Sequence, residues 1–469
     1  MRKDAIQERP QATVSAGRRG AALAVAMLGF FVVSLDAQIV NLALPEIGRD
    51  LGGGLSGLQW VVTGYTLAFS ALLLFAGTLS DRIGARRSYG FGLLVFVLAS
   101  AACGFAPGLG LLIGARVAQG VGAALITPTA LALIREAYHE ADARSRAIAY
   151  WALGGSVAAA AGPVLGGLLT GLDWRLIFHI NLPVGLLGLF LLTRVAPSEQ
   201  RAHPFDPVGQ VCAILALTGL TFTIIEGAEL GYTSPPIISS ALLLLIGFAG
   251  FALAQARGTH PMVAPEVFRS RSVAIALVVG FVGMAGFYGV VFVQSLYFQQ
   301  QRGASPLQTG LLFLPMTALV AILNPAAARL ARRYGPHVPI IGGQLLMAAG
   351  LAGLAAAPAD LPVWAVAALM VPVGVGGAAT VPPLTSLILD AVPAAQAGTA
   401  SGVLNTARQV GGSLGVAVIG AVIGSASTFL AGLRISLSAV AVMVAAAAVL
   451  SLALRTKPRN RPTTEGASA

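Results

Sequence analysis

The stretch GTLSDRIGARR, residues 77 to 87, holds four charged side chains, Asp81, Arg82, Arg86 and Arg87, at the junction of two apolar runs, 59–79 and 89–106. Each run is about as long as a helix needs to cross a hydrocarbon core of about 30 Å. The charges therefore read as a short loop at a membrane face. Gly77 permits close helix approach, Gly84 permits a tight turn, and Asp81 with Arg82, Arg86 and Arg87 makes an ionic latch at that face. An ordinary positively charged loop accounts for Arg86 and Arg87 alone, but it gives no reason for Asp81.

Outward from this loop the same alternation fills the chain. Fourteen apolar runs occur, at 21–43, 59–79, 89–106, 109–134, 147–170, 176–195, 208–228, 236–256, 273–296, 308–329, 338–357, 362–386, 397–424 and 432–454. None alternates with period two, which excludes a transmembrane barrel. With 56% hydrophobic and 10% charged residues among 469, the chain has too little polar surface for a soluble globule of its size. Its first run carries Asp36 and continues past the length of a signal-peptide core, so it reads as a span. The net charge of +11 is spread over short loops instead of one soluble face, which excludes a nucleic-acid surface.

Lys and Arg in the connections set the orientation. With the N-terminus inside, inner segments hold 23 of the 29, and outer loops hold only Arg49, Arg175, Arg302 and Arg434. Both termini are therefore expected in the cytoplasm. The organisation reads as a cytoplasmic N-tail (1–20), a six-helix bundle (21–195), a linker with two extra spans (196–256), a cytoplasmic linker (257–272), a second six-helix bundle (273–454) and a cytoplasmic C-tail (455–469). An internal repeat supports two equivalent bundles: QGVGAALITPTALALIRE (119–136) aligns with VGVGGAATVPPLTSLILD (373–390), and GTLSDRIG (77–84) with ARLARRYG (328–335). Duplicated halves are usual in secondary transporters, with the substrate path between them.

Several motifs together resemble the major facilitator superfamily. They are GTLSDRIGARR itself, LIGARVAQGVGAA (112–124) with Arg116 inside the fourth span, and AAGPVLGG (160–167) in the fifth. LDAQIVNLALP (35–45), DWRLIFHINLPVG (173–185), QQQRGASPLQTGLLFLP (299–315) and ASGVLNTARQVGGSLGVA (400–417) are similar to the fourteen-span drug:proton antiporters of the EmrB/QacA type. The resemblance implies an all-α integral membrane protein of two bundles that exports small hydrophobic or cationic drugs or antibiotics in exchange for protons. It implies a monomer in a bacterial cytoplasmic membrane, driven by the proton gradient and without a cofactor. In the fifth span, Gly162, Pro163, Gly166 and Gly167 form the antiporter motif. Proline removes a helix hydrogen bond and glycine allows tight contact, so this span can bend and seal a path. Two departures stand out: Gln38 replaces a frequent Thr, and Ala158 to Ala161 replace part of a glycine comb.

Depth along the spans pairs two charges. At 1.5 Å per residue, Asp36 lies about 8 Å from the outer face and Arg116 about 10 Å from it, so they are expected to meet. Asp36 is the expected proton carrier, because a buried carboxylate changes its hold on a proton as it faces a guanidinium, apolar surroundings or water. Gln38, Asn41, Trp60, Tyr65, Gln119, Asn405 and Arg408 are the expected cavity residues, with Trp60 and Tyr65 offering aromatic faces to a cation or a flat drug. Glu226 is expected at the interface. Cys103 and Cys212 lie in apolar runs and read as small hydrophobes. The five histidines form no metal-like cluster, and no GxxxxGK[ST] loop occurs, so neither an enzyme nor an ATP-driven pump is indicated. An uptake symporter, an exporter of an endogenous metabolite or lipid, and, more remotely, a receptor or enzyme are the alternatives. The second bundle has no carboxylate in 362–386 or 397–424, which predicts poor handling of dications.

Overall fold

The computed structural model describes residues 16–198, 200, 206–258, 262, 270–392 and 397–454. Residues 1–15 of the expected N-tail, most of the 257–272 linker and the whole 455–469 C-tail lie outside them. Among the described residues the chain is helical and has no strand. The helices are α1 (Ala16–Leu51), α2 (Gly54–Ile83), α3 (Ala85–Gly104), α4 (Leu109–Ala137), α5 (Ala141–Leu172) and α6 (Leu176–Leu192), then α7 (Pro207–Leu230) and α8 (Pro235–Arg257). They continue as α9 (Arg271–Leu296), α10 (Pro306–Tyr334), α11 (His337–Ala356), α12 (Val363–Ala391), α13 (Ala397–Ser425) and α14 (Phe429–Ser451). Thirteen are long and apolar enough to cross a membrane; α6 is shorter and is interrupted at Ile180. The fourteen apolar runs thus correspond to fourteen helices, most of them longer than the runs. Helices overrun the apolar stretches because local polar partners sustain their ends, as Arg49 does on Glu46 at 2.9 Å in the last turns of α1.

The sequence repeat reappears as repeated geometry. In α2 and α10 the chain leaves the helix through Gly84 (φ 88°) and Gly335 (φ 88°), a conformation that only glycine adopts without strain. A Cβ on Gly122 of α4 would stand 2.7 Å from the Gly92 carbonyl oxygen of α3, and one on Gly376 of α12 would collide with the Gly343 carbonyl oxygen of α11. Likewise Gly120 sits against the Tyr65 carbonyl, and Gly374 against that of Met316. Backbones that approach this closely gain dispersion contact, the main attraction available between helices in lipid.

The side on which α1 begins is called inner, after its loop charges. Side-chain hydrogen bonds join the two halves toward the outer side. Gln59 of α2 donates to the carbonyls of Val416 (3.2 Å) and Ala417 (2.7 Å) on α13, Ser295 donates to Asn41 O (2.6 Å), and Gln299 to Leu42 O (3.0 Å). Inward from there α5 and α10 diverge around a cavity of about 1020 Å³, which they line with α12. The pair α7 and α8 lies against α2: Gln210 donates to Ala71 O at 2.7 Å, Trp60 to Glu226 at 2.6 Å, and Ser56 to Glu229 at 2.6 Å.

Candidate functional site

Asp36 and Arg116 form an ion pair between Oδ2 and Nη1, and neither side chain is reached by solvent. The helices bring them together because α1 and α4 run in opposite directions with the two residues at similar depth. The rest of the carboxylate is also occupied. Its Oδ1 accepts from Asn181 Nδ2 (2.9 Å) and Gln119 Nε2 (3.1 Å). Gln119 holds Arg116 in turn, accepting from Nη1 at 2.8 Å, while Arg116 Nε donates to Val61 O at 3.0 Å. Ser100 Oγ accepts from Gln119 (2.8 Å) and Asn181 (3.3 Å), and the Cys103 thiol donates to Gln119 Oε1 (3.2 Å). The Arg116 guanidinium lies 4.4 Å from the Tyr65 ring centroid and 5.8 Å from that of Phe178. The partners of the carboxylate, Arg116, Asn181 and Gln119, are all donors, the arrangement that suits its charged form. A buried ion pair persists only when its remaining donors and acceptors are filled in this way.

Asn181 and Ser100 were not among the expected site residues. Asn181 belongs to DWRLIFHINLPVG, whose two ends both reach α1. At the outer end Trp174 Nε1 (3.0 Å) and Arg175 Nη1 (2.8 Å) donate to Asp50, and six or seven residues later Asn181 donates to Asp36. Ser100 left no signal, being one small polar residue in an apolar helix. Cys103 serves as a thiol donor as well as a small buried group.

The other expected residues are spread over different places. Gln38 is 7% exposed and packs its Cβ where a Cβ on Gly162 would meet it at 3.0 Å. Asn41, 1% exposed, turns back to donate to Ala37 O at 3.2 Å. Tyr65 and Gln119 belong to the Asp36 network. Trp60 faces the added helix pair, bonded to Glu226 and 6.2 Å from the Phe222 ring, so Glu226 has a protein partner as well as an interfacial position. The 1020 Å³ cavity is lined instead by small and aliphatic groups such as Ala152, Val157, Ala161, Ile322 and Val381, with Ser156 and Asn324 as polar exceptions. Arg408 and Asn405 are half-buried on α13.

The fifth-span glycines face two ways. Gly162 and Gly166 receive α1, a Cβ on Gly166 standing 2.9 Å from Ile39 Cγ1. Gly167 meets the Pro306 carbonyl of α10, and Gly310 of α10 meets that of Pro163. At Gly167 and Gly310 the two halves therefore approach backbone to backbone. In the 77–87 loop, the Arg86 backbone N–H donates to Ser198 Oγ at 2.9 Å, its guanidinium donates to Thr193 O at 3.3 Å, and Ser198 Oγ donates to Glu136. Asp81 and Arg82 are exposed. A Cβ on Gly77 would meet nothing within 4 Å, so the close approach expected there is absent from this conformation.

Two helical bundles hydrogen-bonded to each other toward the outer side, a large apolar cavity lined by α5, α10 and α12, and a dry charge pair within one bundle are the arrangement of a membrane transporter. Residues 26–416 match the Major Facilitator Superfamily, and the chain belongs to that family. The multidrug resistance protein Stp of Mycobacterium tuberculosis is 40% identical over 399 residues, covering 84% of this chain and 74% of that protein. The methylenomycin A resistance protein of Streptomyces coelicolor is 35% identical over 451 residues, 95% of each chain. Among solved structures, a bacterial homologue of the lysosomal transporter Spinster, in an inward-facing and unoccupied conformation, superposes with a TM-score of 0.67 at 18% identity. It covers 94% of this chain and 97% of that one, and the likeness is one of fold.

Proposed function

We propose that this protein exports small hydrophobic or cationic drugs or antibiotics from the cytoplasm in exchange for protons, by alternating access of the inner and outer sides. The observation that carries the reading is the Asp36–Arg116 pair, dehydrated and held by hydrogen bonds from Asn181 and Gln119, in a family whose members similar to this chain include resistance and export proteins. In this structure Asp36 is paired with Arg116 and receives hydrogen bonds from Asn181 and Gln119, partners that favour the charged carboxylate. Opening to the outside admits a proton to the carboxylate. Neutralising it removes the attraction to Arg116 and leaves Gln119 and Asn181 to be re-partnered, so the protonated and paired forms favour different packings of α1 against α4 and α6. Substrate enters the apolar cavity between α5, α10 and α12 from the inner side. The glycine seam between α5 and α10 keeps the outer end closed meanwhile, which ties substrate movement to proton movement.

The test is transport in inverted membrane vesicles. With an imposed proton gradient, acid inside, added substrate is expected to accumulate and to dissipate the gradient. Accumulation that is indifferent to the gradient would overturn proton coupling, and gradient-driven movement in the opposite direction would make the protein a symporter.

A further inference from the structure

The first bundle neutralises its buried arginine; the second does not. Arg408 lies 11 residues into α13, about 16 Å along the helix from its start at Ala397. Its Nε is buried and has no hydrogen-bond partner, and its Nη2 lies 4.0 Å from the Met284 sulfur. Among the described residues no carboxylate forms an ion pair with it. From residue 271 to 454 the sequence has only two carboxylates, Asp360 between α11 and α12 and Asp390 at the inner end of α12. Asp36, in the other bundle, is engaged by Arg116.

An unpaired guanidinium at this depth is expensive unless water or an anion serves it for part of the cycle. Its surroundings suit an anion with an aromatic body. Asn405 and Gln409, half-buried on the same helix, add neutral amides beside the charge, and the neighbouring Thr406 hydroxyl has no partner. Tyr288 of α9 covers Gly412, where a Cβ would stand 2.7 Å from the ring, and packs edge-on to Phe287 with centroids 5.8 Å apart. A planar fork of N–H donors next to aromatic rings binds a carboxylate through two bonds while the rings hold a flat apolar framework.

We propose that Arg408 is a substrate-binding residue for the acidic group of an amphiphilic aryl carboxylate, with Asn405, Gln409 and Tyr288 completing the subsite. The inference rests on the transport reading for its purpose and adds acid-bearing compounds to its apolar substrates; cations lacking an acid do not bind at this subsite. It also gives the scarcity of carboxylates in the second bundle a function, because an acidic neighbour would occupy the guanidinium permanently.

The experiment uses the full chain in detergent and reads binding, so that it stands apart from transport. Fluorescein and rhodamine 123 share a xanthene framework and differ in charge; their fluorescence polarisation is titrated against protein, with protein-free micelles subtracted. Fluorescein is expected to bind at least tenfold more tightly than rhodamine 123, Arg408→Gln to abolish the preference, and Arg408→Lys to retain part of it. In the unaltered protein, benzoate is expected to displace fluorescein and benzamide to fail, a result that holds whether or not the variants fold. Equal or reversed dye affinities, no saturable fluorescein binding, displacement by benzamide as well as benzoate, or an unchanged preference in folded Arg408→Gln would each overturn the proposal. If vesicle transport fails while this charge preference holds, the export reading falls and the binding site stands.

Discussion

Replacing Gln59 by Ala removes two of the hydrogen bonds that hold the halves together at the outer side. The Gln59 side chain is 2% exposed, lies against Gly420, and its amide donates to Val416 O at 3.2 Å and Ala417 O at 2.7 Å. Both accepting carbonyls belong to α13, where the helix itself also uses them, so the substitution leaves no orphaned acceptor. At about 1 kcal/mol for each net hydrogen bond, the inward-open state loses about 2 kcal/mol, and the ratio of outward-open to inward-open molecules rises roughly thirtyfold. Double electron–electron resonance reads this directly, with spin labels on Pro107→Cys and Ser427→Cys, exposed positions in outer loops of the two halves, after Cys103 and Cys212 are replaced by Ser. A longer-distance population is expected to grow in Gln59→Ala. A distance distribution unchanged from that of the parent would refute the assignment of these bonds to outer closure.

Three further outcomes follow from the geometry. Asn181→Ala removes a donor from a buried carboxylate and is expected to lower stability by about 2 kcal/mol, read as a fall in the thermal transition, whereas Asn181→Asp, which sets two carboxylates together, is expected to be worse. Gly122→Ala and Gly376→Ala press a methyl into a neighbouring backbone, with an expected loss of about 1 to 3 kcal/mol each, while Gly114→Ala, whose Cβ meets nothing within 4 Å, is expected to be neutral in the same melting experiment. Ala161→Phe fills part of the 1020 Å³ cavity and is expected to suppress export of large substrates more than small ones, measured as resistance in a host lacking its own efflux pumps.

What the sequence disclosed, and what it withheld, follows from which interactions leave a pattern. Helices in lipid must satisfy their own backbone, so long apolar runs declare themselves, and the short charged loops between them set an expected orientation. Asp36 and Arg116 were legible because charge is rare in spans and depth can be counted along a helix. Asn181 and Ser100 were not, since neutral polar side chains recur in membrane helices without any spacing that singles out a partner. The cavity between α5, α10 and α12 left no mark in the sequence, because apart from Ser156, Asn324 and two prolines its walls are Ala, Val, Leu and Ile, residues indistinguishable in sequence from lipid-facing ones. Trp60 read as an aromatic platform, whereas its bond to Glu226 depends on where the added helices dock, a tertiary fact with no local signature. Gly77 shows the remaining limit: a glycine permits a close approach without requiring one, and here a Cβ on it would meet nothing within 4 Å.

The central claim is that Asp36 couples protons to export. Substrate-induced proton flux in inverted vesicles, compared between the parent protein and Asp36→Asn, tests it most directly. Asn preserves the size of the side chain and an oxygen for Arg116 but holds no exchangeable charge. The variant is expected still to bind substrate and to equilibrate it down its own gradient, while substrate-linked proton movement and uphill accumulation disappear. Uphill accumulation driven by the proton gradient in Asp36→Asn would contradict it.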